Sequence, residues 1–153
     1  MKKLLVLALY FPLLSFSATT GTLVLQGTIP SLRSLTVTPE AGHNTLDLGS
    51  TQTDLKVATV NEKSNSILGY KITIVSANLS NLKRVSGTEV IPYTLKYNGL
   101  TADVSSITGY SVTHSGFPVN VNKDLTISYT GVDTSLLTEG NYSDTLTLTI
   151  SSP

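Results

Sequence analysis

From residue 22 almost to the last residue, apolar positions alternate with hydroxyl-bearing or charged ones at a period of two. That is the signature of half-buried strands, and no stretch carries a convincing helical stripe. The pattern predicts strands over 22–29, 34–38, 45–49, 55–60, 67–75, 92–97, 100–104, 124–129 and 142–151. In 67–75, Tyr70, Ile72 and Ile74 share one face, with Lys71 and Thr73 on the other. The last run is the most regular: Leu146, Leu148 and Ile150 alternate with Thr145, Thr147 and Thr149.

Turn chemistry separates these runs. Pro30 closes the first and Pro39 to Gly42 the second. Asn98-Gly99 stands between 92–97 and 100–104, where a tight hairpin turn needs two residues that tolerate positive φ. Many short strands with such spacing predict an all-β, antiparallel β-sandwich. Gly140-Asn141-Tyr142 precedes the final run, the place where immunoglobulin-like sandwiches carry a tyrosine whose hydroxyl bonds backbone just upstream. A tyrosine opening a strand through β propensity alone is an equal alternative.

The N-terminus reads as an export signal over residues 1–17. Lys2 and Lys3 precede an apolar run from Leu4 to Leu14, followed by small residues at Ser15 and Ser17. The run is too short for a spanning helix and is broken by Pro12. Cleavage after Ser17 would leave a chain starting at Ala18, exported to the periplasm. Residues 18–30 then form an extension, and residues 31–153 the sandwich domain.

The extension places Leu23, Leu25, Gly27 and Ile29 on one face. Exposed apolar strands invite aggregation, so this one needs a groove. The groove can belong to its own domain, with 22–29 as the first strand, or to a neighbouring molecule by β-augmentation. Gly27 fits a place where another backbone comes close.

Composition narrows the classes further. The chain has no cysteine and no tryptophan, seven tyrosines, zero net charge and only 13% charged residues. Absence of cysteine excludes thiolate metal sites, thiol nucleophiles and a disulfide scaffold. The charge balance leaves no basic stripe for nucleic acid, and Lys83-Arg84 is too small a basic pair for a polyanion. Low charge is uncommon in a freely soluble protein and less so in an assembled one.

The run L-V-L-Q-G-T-I-P-S-L-R-S-L-T-V (23–37) resembles the donor extension and first strand of chaperone–usher pilins. G-N-Y-S-D-T-L-T-L-T-I (140–150) resembles that family's C-terminal strand. G-Y-K-I-T-I-V-S-A-N (69–78) and Y-T-L-K-Y-N-G (93–99) are similar to related secreted subunits grouped with spore-coat protein U.

The resemblance implies an incomplete immunoglobulin-like sandwich lacking its last strand. A periplasmic chaperone fills the gap until the next subunit's extension replaces it at an outer-membrane usher. Leu23, Leu25, Gly27 and Ile29 would then be the donor residues. Tyr142, Leu146, Leu148 and Ile150 would lie on the strand that borders the acceptor groove and faces the chaperone. The partners implied are neighbouring copies or other fibre subunits, with a host or surface ligand as a further option. The end at Pro153, three residues past Ile150, fits an open acceptor. The chain departs from the family in two respects. Serines stand near both expected cysteine positions, at Ser34 and Ser64, and the near-terminal tyrosine of one large branch is missing. A self-contained secreted module binding carbohydrate or host protein, with 22–29 as its own first strand, is the alternative.

No catalytic chemistry and no cofactor is expected. His43 and His114 lack partners at ligand spacing and read as solvated loop histidines. Asp124, Asp133 and Glu139 do not follow a calcium-loop pattern and read as turn caps. No nucleophile elbow surrounds any serine.

Overall fold

In a computed structural model, which describes residues 19–116 and 118–153, the alternating runs become antiparallel strands, with no helix among the described residues. They are β1 (Arg33–Pro39), β2 (Gln52–Ser64), β3 (Tyr70–Ser76), β4 (Asn81–Arg84), β5 (Val90–Pro92), β6 (Thr94–Tyr97), β7 (Leu100–Ala102), β8 (Tyr110–His114), β9 (Val119–Tyr129), β10 (Tyr142–Ser143) and β11 (Leu146–Ser151). The export-signal reading of 1–17, and Ala18 with it, lies outside the described residues.

One sheet runs β1-β2-β9-β6-β7; two smaller ones run β11-β3-β8 and β10-β4-β5. Their inner faces meet in one core. The large sheet contributes Val60, Leu95, Leu125 and Ile127, and the smaller sheets Ile72, Ile74, Leu82 and Ile91. Each such side chain contributes about 1.5–3 kcal/mol by leaving water. The arrangement is consistent with a β-sandwich.

Several strands differ from the expectation, each for a traceable reason. Strand β2 reaches Ser64 rather than stopping near Val60, because Glu62 turns inward although its neighbours look like loop residues. Its carboxylate is fully buried and accepts the hydroxyls of Tyr70 (2.7 Å) and Tyr97. That satisfaction is what makes a buried carboxylate tolerable. Burial, and then the bond to this carboxylate, push both tyrosine hydroxyls well above the usual phenol range.

Residues 45–49 form turns rather than a strand. The Ser50 amide donates to the Asp47 carbonyl (3.4 Å), and the Gly49 amide to the Asp47 carboxylate (3.1 Å). Leu46 and Leu48 still pack against the core, so their alternation reports burial without a ladder. The Asn98-Gly99 hairpin forms as expected, with φ of 51° and 77°. Strands β4 and β8 were not anticipated.

The expected strand over 142–151 is broken in two. Strand β10 pairs with β4 and β11 with β3, so the chain changes sheets at Asp144. The Asp144 carboxylate accepts from Ser76 Oγ (2.6 Å), the Asn78 amide (2.9 Å), the Tyr93 hydroxyl (2.5 Å) and the Thr145 amide (2.7 Å). Four donors on one carboxylate pin the crossing point.

Candidate functional site

The site is an unfilled slot between β1 and β11, together with a segment that fills nothing. Among the described residues, strand β1 is the outer strand of the large sheet and pairs only with β2. Among the same residues, strand β11 is likewise an outer strand and pairs only with β3. The two lie near each other with no ladder between them. Each therefore presents an unpaired row of backbone donors and acceptors, the template on which a further strand can pair.

Side chains along the slot are apolar and incompletely covered. On β11, Leu146, Leu148 and Ile150 face the core but are only half-buried, as is Leu35 on β1. Val37 on β1 remains 42% exposed. A hollow of about 210 Å³ opens between them, lined by Val37, Pro39, Val57, Ile127 and Leu146 among others. A second hollow of about 530 Å³ shares His43, Leu46, Leu82 and Asp144 with the first and continues along residues 140–143.

Tyr142 belongs to the same end of the molecule but to a different ladder from Leu146, Leu148 and Ile150. Its hydroxyl donates to the Thr138 carbonyl at 2.9 Å, four residues upstream. The tyrosine thus anchors the loop that delivers β10, instead of serving only as a strand opener.

The segment 22–29 is in no strand of this chain, contrary to the period-two expectation. Leu23, Leu25 and Ile29 are 82%, 85% and 87% exposed. Among the described residues no sheet edge pairs with it. Among the described residues, its two chain neighbours aside, nothing lies within 4 Å of the place where a Cβ on Gly27 would sit, so their packing gives no steric reason for a glycine there.

The junction between segment and body is held by Asn65. Its Nδ2 donates to the Pro30 carbonyl (2.9 Å), its Oδ1 accepts from the Leu32 amide (2.7 Å), and its own amide donates to the Leu32 carbonyl (3.2 Å). Sequence reasoning passed over Asn65. An asparagine just past a strand looks like an ordinary turn residue, and only the pairing of Arg33 with Ser64 brings it opposite Leu32. Ser34 and Ser64 are not directly opposite one another, since Ser34 faces Lys63.

The remaining candidates resolve into structural roles. His114 is not a solvated loop residue: it sits on half-buried β8 with its ring 5.0 Å from that of Tyr70. His43 is exposed, with Nδ1 2.8 Å from the Glu40 carbonyl. Asp133 caps a turn through the Ser135 amide (2.9 Å) and hydroxyl (2.8 Å). Asp124 does not cap a turn; it lies on β9 and pairs with Lys56 at 2.8 Å. Arg84 is engaged with Glu89 at 2.8 Å, and this contact is the main cause that lowers the Glu89 carboxyl to about 2. Among the described residues no group of acidic or histidine side chains could hold a metal ion, and no helix is long and apolar enough to cross a membrane. No protein-family model matches the chain, and no curated protein matches it.

Proposed function

We propose that the chain is a structural subunit of a bacterial surface fibre, in which residues 22–29 of one copy complete the open slot between β1 and β11 of the next. The observation that carries the reading is the coexistence, in one chain, of an unpaired apolar segment and an unfilled apolar slot. Eight residues in strand conformation span roughly 26 Å, about the length of the seven-residue β1 that borders the slot. Leu23, Leu25 and Ile29 are the side chains offered, and Val37, Leu146, Leu148 and Ile150 the walls that lack cover. Gly27 is then explained by close approach of the neighbour's backbone.

Strand order supports the same reading. In a constant-type immunoglobulin sandwich one sheet is ordered A-B-E-D and the other C-F-G. Here β1-β2-β9-β6 matches the first, and β3 beside β11 matches C and F, with the G position open among the described residues. The bond from Tyr142 to Thr138 falls where the tyrosine corner precedes strand F. Assembly on this reading is strand exchange without covalent chemistry. The subunit is exported, held by a periplasmic chaperone whose strand occupies the slot, and passed through an outer-membrane usher into a fibre on the cell surface. The protein is not an enzyme. A self-contained binding module would need 22–29 as part of its own sheet, and the segment's exposure weighs against it.

The test compares size and thermal stability of the chain without residues 1–17 and of a form that also lacks 18–30. The expectation is concentration-dependent ladders for the longer form. The shorter should be a monomer stabilised by a synthetic 18–30 peptide, by about 2.7 kcal/mol at a hundredfold excess over Kd. A longer form that stays a stable monomer, with a shorter one that unfolds and is not rescued by peptide, would overturn the reading.

A further inference from the structure

Residues 66–69 form a turn ahead of β3. The Gly69 amide donates to the Ser66 carbonyl (3.3 Å) and the Leu68 amide to Ser66 Oγ (3.3 Å). Turn centres are ordinarily Gly, Pro, Asn, Asp or Ser; here they are Ile67 and Leu68, 86% and 77% exposed. The backbone beneath them is tightly seated. Gly69 has a φ of 86°, a Cβ on it would strike the His114 carbonyl, and a Cβ on Gly116 would strike the Ile67 carbonyl. Two large apolar side chains are thus held outward by a turn packed against the end of β8.

What covers them follows from where the extension leaves the body. Asn65, immediately before the turn, is bonded to the Leu32 amide and carbonyl and to the Pro30 carbonyl. Only Pro30 and Ser31 stand between Leu32 and Ile29, the last side chain offered to a slot. Three residue steps reach no further than roughly 11 Å. A copy that takes up residues 22–29 therefore stands against this end of the donor, where Ile67 and Leu68 project.

The two walls of the slot decide which end of that copy is met. Arg33 pairs with Ser64 and Ser151 with Lys71, so β1 begins and β11 finishes at the end that carries the turn. Pro39 and Leu146 line one hollow at the opposite end. An incoming segment antiparallel to β1 would bring Ile29 to the turn end of the acceptor, where the acceptor's own extension leaves. Two copies would then exchange segments as a closed pair. A segment antiparallel to β11 brings Ile29 beside Leu146 and leaves the acceptor's turn free for a third copy, so growth stays open. At that end lies the hollow of about 530 Å³, whose walls include Asn44, Leu46, Leu48, Asn141 and Tyr142.

We propose that Ile67 and Leu68 form a docking knob for a second copy of this chain, seated in the hollow between residues 44–48 and 140–144 of the copy that receives the extension. The proposal rests on the fibre reading and adds to it a body-to-body contact and a direction of growth.

The test uses the chain without residues 1–17, which has no cysteine of its own. Ile67→Ser combined with Leu68→Ser should leave urea unfolding of dilute monomer unchanged. The same pair in the form lacking 18–30 should leave binding of an 18–30 peptide unchanged, because the peptide brings no turn with it. The concentration needed for ladders should rise by about tenfold or more through lost apolar burial. A second variant combines Leu68→Cys with Asn141→Cys, both at exposed positions. A short thiol-to-thiol crosslinker should join position 68 of one copy to position 141 of the next in a covalent ladder. Leu68→Cys alone should give no covalent dimer. Such a dimer, showing turn against turn, would overturn the proposal, as would ladders from the serine variant at the wild-type concentration. If the serine variant unfolds more easily, the crosslinks decide. Wild-type ladders without the 68–141 link sink the contact alone. A wild type that forms no ladders, with a shortened form that binds no peptide, sinks the fibre reading and the contact with it.

Discussion

Replacing Leu25 by aspartate separates the energy of assembly from the energy of folding. In the isolated chain the Leu25 side chain is 85% exposed, so a carboxylate there displaces little packing. Monomer stability should change by less than about 0.5 kcal/mol, as for other surface positions. In the proposed fibre the same side chain leaves water in the slot of a neighbour. Its loss removes about 1.5–3 kcal/mol of apolar burial, and setting an unpaired carboxylate against Val37 and Leu146 adds several kcal/mol more. A combined penalty of about 4–6 kcal/mol corresponds to roughly three to four powers of ten in subunit affinity. The assay pairs urea unfolding of dilute monomer with electron microscopy and ladder gels of concentrated protein. Gln26→Asp, on the opposite face of the segment, is the control and should assemble normally. Normal fibres from Leu25→Asp would refute the reasoning. So would a monomer destabilised by more than about 2 kcal/mol, because Leu25 would then belong to its own core.

Four further outcomes follow from the described contacts. Glu62→Leu should cost about 2–6 kcal/mol in urea, since it strands two buried tyrosine hydroxyls; adding Tyr70→Phe and Tyr97→Phe should recover most of it, and equal losses in single and triple variants would contradict this. Glu89 has its carboxyl lowered from 4.5 to about 2 by Arg84, so its pairing is complete above pH 4.5 and lost as pH falls toward 2. Arg84→Met should flatten acid unfolding in that window only. Burial foremost, then bonds to Glu62 or Asp144, raise the hydroxyls of Tyr70, Tyr93 and Tyr97 above 10. Stability should therefore be complete below pH 10 and decline above it, with phenolate absorbance of these three appearing only on unfolding. Tyr142→Phe removes the bond to Thr138 and should cost about 0.5–1.5 kcal/mol by thermal unfolding.

Strands β3 and β11 were legible because alternation is written into adjacent residues: Tyr70, Ile72 and Ile74, then Leu146, Leu148 and Ile150, need no partner to be recognised. The same holds for the Asn98-Gly99 turn, whose φ values depend on two residues alone. Period two nevertheless misled wherever it reported burial without a ladder, as at Leu46 and Leu48, or apolar alternation without a partner, as at 22–29. It failed in the other direction at Glu62, whose inward position depends on hydroxyls eight and thirty-five residues away.

Local residue chemistry therefore sufficed for the all-β class and the apolar face of the extension. Strand partnership, the crossing at Asp144, the Asn65 clamp and the vacancy between β1 and β11 required the folded chain. Their physical reason is common to all four: each depends on hydrogen-bond partners far apart in sequence. Which residues meet across a sheet is set by the packing of the whole core, and no window of adjacent residues contains that information.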